Sequence, residues 1–298
     1  MHTFRSVPAG VGLLLATGAA SAMGAVSPDA AMRTRWHQPQ APTRIYGNTW
    51  YVGSRGLGAI LITSPRGHVL IDGTLAENAP MIEANIRALG FRLRDVRLIL
   101  NTHAHADHAG AIAALAHDSG AVVVARAAQA RALREGGDDP EDPQQGDAPR
   151  FPPVRPVRLI GDEATVRVGP LAVSAHPTPG HTPGSTTWTW ISCEGGRCLH
   201  MVYADSLTPM ASGNYRFTAP AHPQRLVSFR RGLAVLSALP CDILMTPHPE
   251  ASRFWQRMAH RAHGDREALR DTGACRAYAR NGERMMGERI AAEHGVTP

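Results

Sequence analysis

The sequence predicts an α/β chain built as an αββα sandwich, two mixed β-sheets packed face to face with helices on the outer faces. Three observations lead there. Hydrophobic residues make up 43% of the 298 residues, enough for one sizeable buried core and too many for a disordered chain. Apolar positions alternate between short strand-like runs and helical spacing. Each half opens on strands and closes on alternating β and α elements, an order that suits two stacked sheets better than one doubly wound sheet. No short-period repeat interrupts the pattern.

Residues 1–22 read as an export signal. Arg5 gives a positive start, residues 9–20 are a short apolar run, and Ala20-Ser21-Ala22 has the small-x-small form of a cleavage site. Three glycines in that run and the lack of a cap disfavour a buried N-terminal helix. Residues 23–42 form a Pro-containing extension, and 43–298 form the folded domain. In that domain, 48–52 and 59–63 are strand-like, Ser64-Pro65-Arg66-Gly67 is a turn, and 68–72 is a further strand. A helix is expected over 79–89, a buried strand over 96–100, a helix over 109–117, a strand over 121–125 and a helix over 127–134.

Residues 136–156 break the pattern with Pro, Gly and acidic residues. They read as a solvated surface loop or as a flap beside a site, since long structureless loops in compact domains are often functional. Strands then follow at 165–168, 171–175, 186–191 and 199–204, with a helix at 224–239, a strand at 242–245 and a helical tail from about residue 253.

Composition narrows the function classes. Net charge is +6 and all 31 basic side chains are Arg, so any Lys nucleophile, Schiff base or P-loop Lys is excluded. The Arg residues are interleaved with Asp and Glu rather than clustered, which argues against nucleic acid. Beyond the export signal no run approaches the ~20 apolar residues of a membrane span. Cys193, Cys198, Cys241 and Cys275 allow three pairings, of which Cys193–Cys198 with Cys241–Cys275 is the most economical. CEGGRC has a Gly-Gly centre typical of a tight turn between strands. No CxxC pair is present to suggest a Cys metal site.

The chemistry concentrates in Asn101-Thr102-His103-Ala104-His105-Ala106-Asp107-His108-Ala109-Gly110, directly after the buried strand. Residues two apart in extended chain face the same way, so His103 and His105 can grip one ion. A following turn directs Asp107 and His108 toward a neighbouring point, and the small Ala residues and Gly110 let the backbone curl close to a metal. His181, in PGHTPGS, and His248, in TPHP, each follow a strand, where a sheet scaffold presents ligands. His176 reads as a structural or supporting residue.

HAHADH, PGHTPGS, YADSL and TPHP, in this order and spacing, resemble the metallo-β-lactamase superfamily, and most of all its subclass B3, over roughly residues 50–275. The resemblance implies the metallo-β-lactamase fold and two Zn²⁺ per chain. It implies a first site of His103, His105 and His181, and a second of Asp107, His108 and His248. Imidazole and carboxylate suit zinc, and three protein ligands leave a position for water. The implied reaction is attack of a metal-bound hydroxide on the amide of penicillins, cephalosporins and carbapenems, with Asp107 as the catalytic residue that orients and accepts a proton. That activity confers antibiotic resistance. Ser206 and Thr208, on one strand-like face, would bind the substrate carboxylate, a task some relatives give to Lys. The expected protein is periplasmic and monomeric, acts on a small-molecule β-lactam, and has no nucleic-acid or membrane partner in its mature form. An Asp near position 205 bridges two metals in glyoxalase-II-like relatives. If Asp205 does so here, the chain is instead an exported dizinc hydrolase of lactones, thioesters or phosphoesters.

Overall fold

The computed structural model describes residues 1–3 and 28–296. All but the first three residues of the expected export signal therefore lie outside the described residues, as do 297–298. Among the described residues, no helix is long and apolar enough to cross a membrane.

Twelve strands among the described residues make two sheets. The larger has seven strands in sequence order: β1 (Thr43–Tyr46), β2 (Thr49–Tyr51), β3 (Ile60–Ile62), β4 (His68–Ile71), β5 (Val96–Leu100), β6 (Val122–Arg126) and β7 (Val157–Ile160). It is antiparallel through β4 and parallel beyond it. The smaller comprises β8 (Thr165–Val168), β9 (Leu171–Pro177), β10 (Thr186–Glu194), β11 (Arg197–Tyr203) and β12 (Ile243–Met245), in the order β12-β11-β10-β9-β8. Only β11 and β12 pair in parallel there. Helices are α1 (Pro28–His37), α2 (Ala79–Ala88), α3 (Ala106–Ala109), α4 (Ile112–Ser119), α5 (Ala127–Arg134), α6 (Gln224–Ala238), α7 (Phe254–Ala262) and α8 (Ala274–Glu293).

Three apolar layers hold these elements together. Between the sheets, Ile60, Ile62, Val69 and Leu100 meet Val173, Trp188, Met201 and Met245. On the outer face of the larger sheet, Leu70, Ile99 and Val123 meet Ile82, Ile86, Leu115 and Leu133 from α2, α4 and α5. On the outer face of the smaller sheet, Val202 and Leu244 meet Phe229, Leu233, Tyr278 and Met286 from α6 and α8. Both faces of β4 and β5 are thus covered along most of their length, which explains the apolar runs Val69–Ile71 and Leu98–Leu100, with Arg97 the exposed exception. Each fully buried side chain of this kind contributes ~1.5–3 kcal/mol. The result is the expected αββα sandwich.

Several local features differ from the expectation. The 23–42 extension contains α1, because Pro28 pre-sets a first helical turn and an Ala-rich stretch follows. The strands β1 and β7 were not expected; β7 directly follows Pro156 and lies at a sheet edge, where a neighbouring Pro is tolerated. The expected helix at 109–117 is two pieces, α3 and α4. The helical tail is likewise two helices, α7 and α8, with residues 263–273 between them. The β10–β11 ladder runs on to Glu194 and Arg197 and turns through Gly195 and Gly196, both at positive φ (57° and 81°). That geometry matches a two-residue hairpin loop. Cys193 and Cys198 face each other across the hairpin and are bonded, and a second disulfide joins Cys241 to Cys275.

Candidate metal centre

The site lies where β4, β5, β9, β11 and β12 end. At the end of β4, Asp72 takes a left-handed backbone (φ 66°) that is uncommon for a residue with a side chain. Its carboxylate accepts from the Thr102 amide (2.7 Å), Asn101 Nδ2 (2.8 Å) and Thr102 Oγ1 (2.8 Å). Burial pushes this carboxyl up to about 7, against the pull of those donors. The Asn101 carbonyl accepts from Gln129 Nε2 (2.7 Å) and Trp188 Nε1 (2.9 Å), and the Thr102 carbonyl from the Thr186 amide (2.8 Å). The backbone entering His103 is therefore fixed from both sheets and from α5. Beyond it, the chain turns into α3 and reaches Gly110. A Cβ there would stand 2.5 Å from the Ala106 carbonyl and the Ala76 amide, so only Gly permits the close return.

His103, His105 and His181 each offer one ring nitrogen to a cluster whose members lie within 4.8 Å of one another. The other nitrogen of each ring is held from behind. His103 Nδ1 lies 2.7 Å from Asp205 Oδ1, and His105 Nε2 lies 2.8 Å from Asp142 Oδ2. His181 Nδ1 meets both the carbonyl and the hydroxyl of Thr208, at 2.9 and 3.0 Å. With the proton kept on the engaged nitrogen, each ring turns a lone pair toward the other two.

A second triangle adjoins the first. Asp107 Oδ2 lies 3.1 Å from His108 Nε2 and 3.3 Å from His248 Nε2, and those two nitrogens are 3.2 Å apart. His103 also groups with Asp107 and His108 within 4.8 Å, so it stands between the two clusters. His248 is the most open of these groups, with its side chain 36% exposed. Trp36 at the end of α1 packs beside it with ring centroids 5.7 Å apart.

The electrostatics favour lone pairs over protons at most of these rings. Burial, followed by the nearby His108 and His105, holds His103 well below the ordinary imidazole range. Burial together with His103 and His105 brings His181 down to about 3. Burial also lowers His108, although Asp107 opposes it. His105 moves upward, because Asp142 outweighs the burial that would lower it. Burial works against the Asp107 charge, yet His108 and His248 hold its carboxyl well below the usual range.

This arrangement fits zinc. Among the described residues, His103 Nε2 is buried without a hydrogen-bond partner, an arrangement that is costly unless something else fills the role. The edges of the second triangle match the ~3.3 Å expected between ligands of a tetrahedral ion with bonds of ~2.0–2.1 Å. Donors backed by carboxylates and carbonyls are the usual surroundings of ligating histidines.

The structure brings together all six residues expected as ligands. Asp205 stands behind His103 and belongs to neither cluster. Ser206 and Thr208 are not on a strand, because β11 ends at Tyr203 and the Ala204 amide makes the last bond to the neighbouring strand, at Met245. Thr208 touches His181, and Ser206 is buried. His176 bonds Thr189 Oγ1 across β9 and β10 (2.8 Å), a structural role. Two participants escaped the sequence reading. Asp142 looked like one solvated acid among several in the 136–156 segment, and Trp36 lay in the extension. Nothing in the local sequence marks either one.

Comparisons with known proteins point the same way. The family model described as metallo-beta-lactamase superfamily matches residues 59–189. Rm3 metallo-beta-lactamase is 48% identical, with a TM-score of 0.85 over 88% of this chain and 97% of that one. MEM-A1, a subclass B3 metallo-beta-lactamase from a soil metagenome library, is 46% identical, with a TM-score of 0.85 over 87% of this chain and 99% of that one. A hydroxyacylglutathione hydrolase of Anaeromyxobacter dehalogenans (strain 2CP-C) is 41% identical over 120 residues, 40% of this chain but only 36% of that protein.

Proposed function

The chain belongs to the metallo-β-lactamase superfamily, in its B3-like group, and on that footing we propose that it is an exported β-lactamase acting on penicillins, cephalosporins and carbapenems. The observation that carries this reading is the pair of adjoining three-ligand clusters. In it, His103, His105 and His181 hold one zinc ion, and Asp107, His108 and His248 hold a second. Zinc in such a site lowers the pKa of water toward ~7 and polarises a carbonyl.

The chain's own residues supply the rest. Asp107 fixes the two rings beside it and would accept the proton released as water attacks the β-lactam carbonyl carbon. The ring C–N bond then breaks and the leaving nitrogen takes up a proton. Thr208 Oγ1 accepts from His181, which leaves its own proton free for a substrate carboxylate. Ser206 is the companion hydroxyl, in a chain that has no Lys for the task. The export signal and two disulfides support a periplasmic location. The protein acts as a monomer on a small-molecule substrate, without nucleic acid or membrane, and its activity confers antibiotic resistance.

A second reading, hydrolysis of thioesters or lactones, draws on the match to hydroxyacylglutathione hydrolase. It requires Asp205 to bridge the ions, and the engagement of that carboxylate behind His103 weighs against it. The test is a panel of nitrocefin, a penicillin, a carbapenem, a lactone and a thioester on the mature protein, with zinc content measured. The expected result is β-lactam turnover with two zinc ions per chain, abolished by chelator and restored by zinc, and sharply reduced in Asp107→Ala. Thioester or lactone turnover without β-lactam turnover would overturn it.

A further inference from the structure

The 136–156 segment is tied down at many points. The Gly137 amide bonds the Ala132 carbonyl (2.9 Å), the Phe151 amide the Gly136 carbonyl (3.2 Å), and the Val154 amide the Leu133 carbonyl (2.9 Å). Asp139 is buried, pairs with Arg131 at 3.1 Å and accepts the Glu141 amide at 3.1 Å. On the far side, the Ser212 amide donates to the Pro143 carbonyl (2.8 Å), joining the segment to the one that carries Ser206 and Thr208. It is a strap, and from its middle one side chain enters the site. Asp142 is 5% exposed, its Oδ1 accepts the Gln144 amide at 2.7 Å, and its Oδ2 lies 2.8 Å from His105 Nε2.

We propose that Asp142 is a positioning residue for His105, and that through it the strap and the first metal site are coupled; this rests on the ligand assignment above. A neutral imidazole carries one N–H. The Asp142 carboxylate, which only accepts, keeps that proton on Nε2 and thereby leaves the Nδ1 lone pair for the ion. It also fixes the plane of the ring. His105 has only alanines beside it in sequence, so the strap supplies the orientation that its own loop does not. Because coupling between binding events is reciprocal, an ion at the first site stabilises the strap by as much as the ordered strap tightens the ion.

The experiment uses the mature chain and the Asp142→Ala and Asp142→Asn variants. Two quantities are measured: zinc affinity, by competition with a chromophoric chelator, and the rate of proteolytic cleavage within 136–156 with and without zinc. Asp142→Ala is expected to weaken one of the two zinc-binding events by roughly 10–100-fold while leaving the other within about threefold. Asp142→Asn, which still presents an oxygen acceptor, recovers most of the loss. In the unsubstituted chain, zinc slows cleavage of the strap, and in Asp142→Ala this protection falls. Unchanged zinc affinity in Asp142→Ala overturns the proposal. Strap cleavage that ignores zinc in the unsubstituted chain also overturns it, and that arm needs no variant to fold. Failure of the β-lactamase reading would look different: normal zinc binding and strap protection without β-lactam turnover.

Discussion

Asp205 Oδ1 lies 2.7 Å from His103 Nδ1, and neither side chain is more than 1% exposed. A carboxylate in that position holds a ligating ring in one tautomer and one orientation. Asp205→Ala should therefore lower zinc affinity by roughly 10–100-fold. Turnover should fall at limiting zinc and recover largely in excess zinc. Chelator competition and zinc-dependent kinetics check this. A variant that holds one ion and cannot be restored by excess zinc would instead mark Asp205 as a bridging ligand.

Thr208 touches His181 through two atoms, and they can be separated. Thr208→Val keeps the side-chain shape and the backbone carbonyl that accepts His181 Nδ1 at 2.9 Å, and removes only the hydroxyl. If that hydroxyl serves the substrate, KM for penicillins should rise about tenfold, the effect of losing ~1.5 kcal/mol of a hydrogen bond to a charged group, with kcat and zinc content little changed. Steady-state kinetics with metal analysis decide it. A fall in zinc affinity at constant KM would mean that the hydroxyl serves His181 alone.

These two residues show where sequence reasoning stops. The cluster His103, His105, Asp107 and His108 is legible because four ligand-type side chains crowd into six residues with only alanines between them. His181 and His248 are legible because Pro and Gly flank them at strand ends. The sandwich is legible from periodicity, since its strands are buried on the faces that the runs imply. Asp142 is not legible, because a carboxylate in an acidic Pro-rich stretch has the composition of a solvated loop and its burial comes entirely from tertiary contacts. Trp36 is hidden for the same reason: α1 is held in place by Asn78 Nδ2 at the Trp36 carbonyl (3.0 Å), a contact 42 residues distant in sequence. The strand-like alternation of Ser206 and Thr208 misleads because β12 is short, so β11 loses its partner at residue 204.

The two disulfides should differ in what they contribute. Cys193–Cys198 closes a loop of 5 residues' separation inside a hairpin that is already paired, whereas Cys241–Cys275 closes one of 34. In the chain-entropy account these correspond to ~2 and ~4 kcal/mol. Replacing Cys241 and Cys275 by Ala should therefore destabilise the zinc-loaded protein more than replacing Cys193 and Cys198, as read from denaturant midpoints under identical metal conditions. An equal or reversed order would contradict the account.

Glu293, in the last turn of α8, staples the segment that carries Thr208. Its carboxylate accepts from the Phe217 amide (2.9 Å), the Thr218 amide (2.9 Å), Thr218 Oγ1 (2.8 Å) and Arg289 Nε (2.7 Å). Burial works against this charge, but Arg289 and the Phe217 and Thr218 donors overcome it and bring the pKa down to about 2. The folded state thus prefers the ionised form more strongly than the unfolded chain, whose Glu titrates near ~4.3. The resulting stabilisation is complete above that value, shrinks as pH falls, and is lost once pH passes below the folded pKa. At 1.36 kcal/mol per unit it amounts to ~3 kcal/mol. Glu293→Gln retains one acceptor oxygen but turns an NH₂ group against donors, so it should unfold roughly 6–12 °C lower near pH 6. The gap should narrow toward pH 2–3. Comparing both proteins free of zinc keeps protonation of the metal ligands common to each, and a gap that stays constant with pH would show that the Glu293 charge is not what holds the segment.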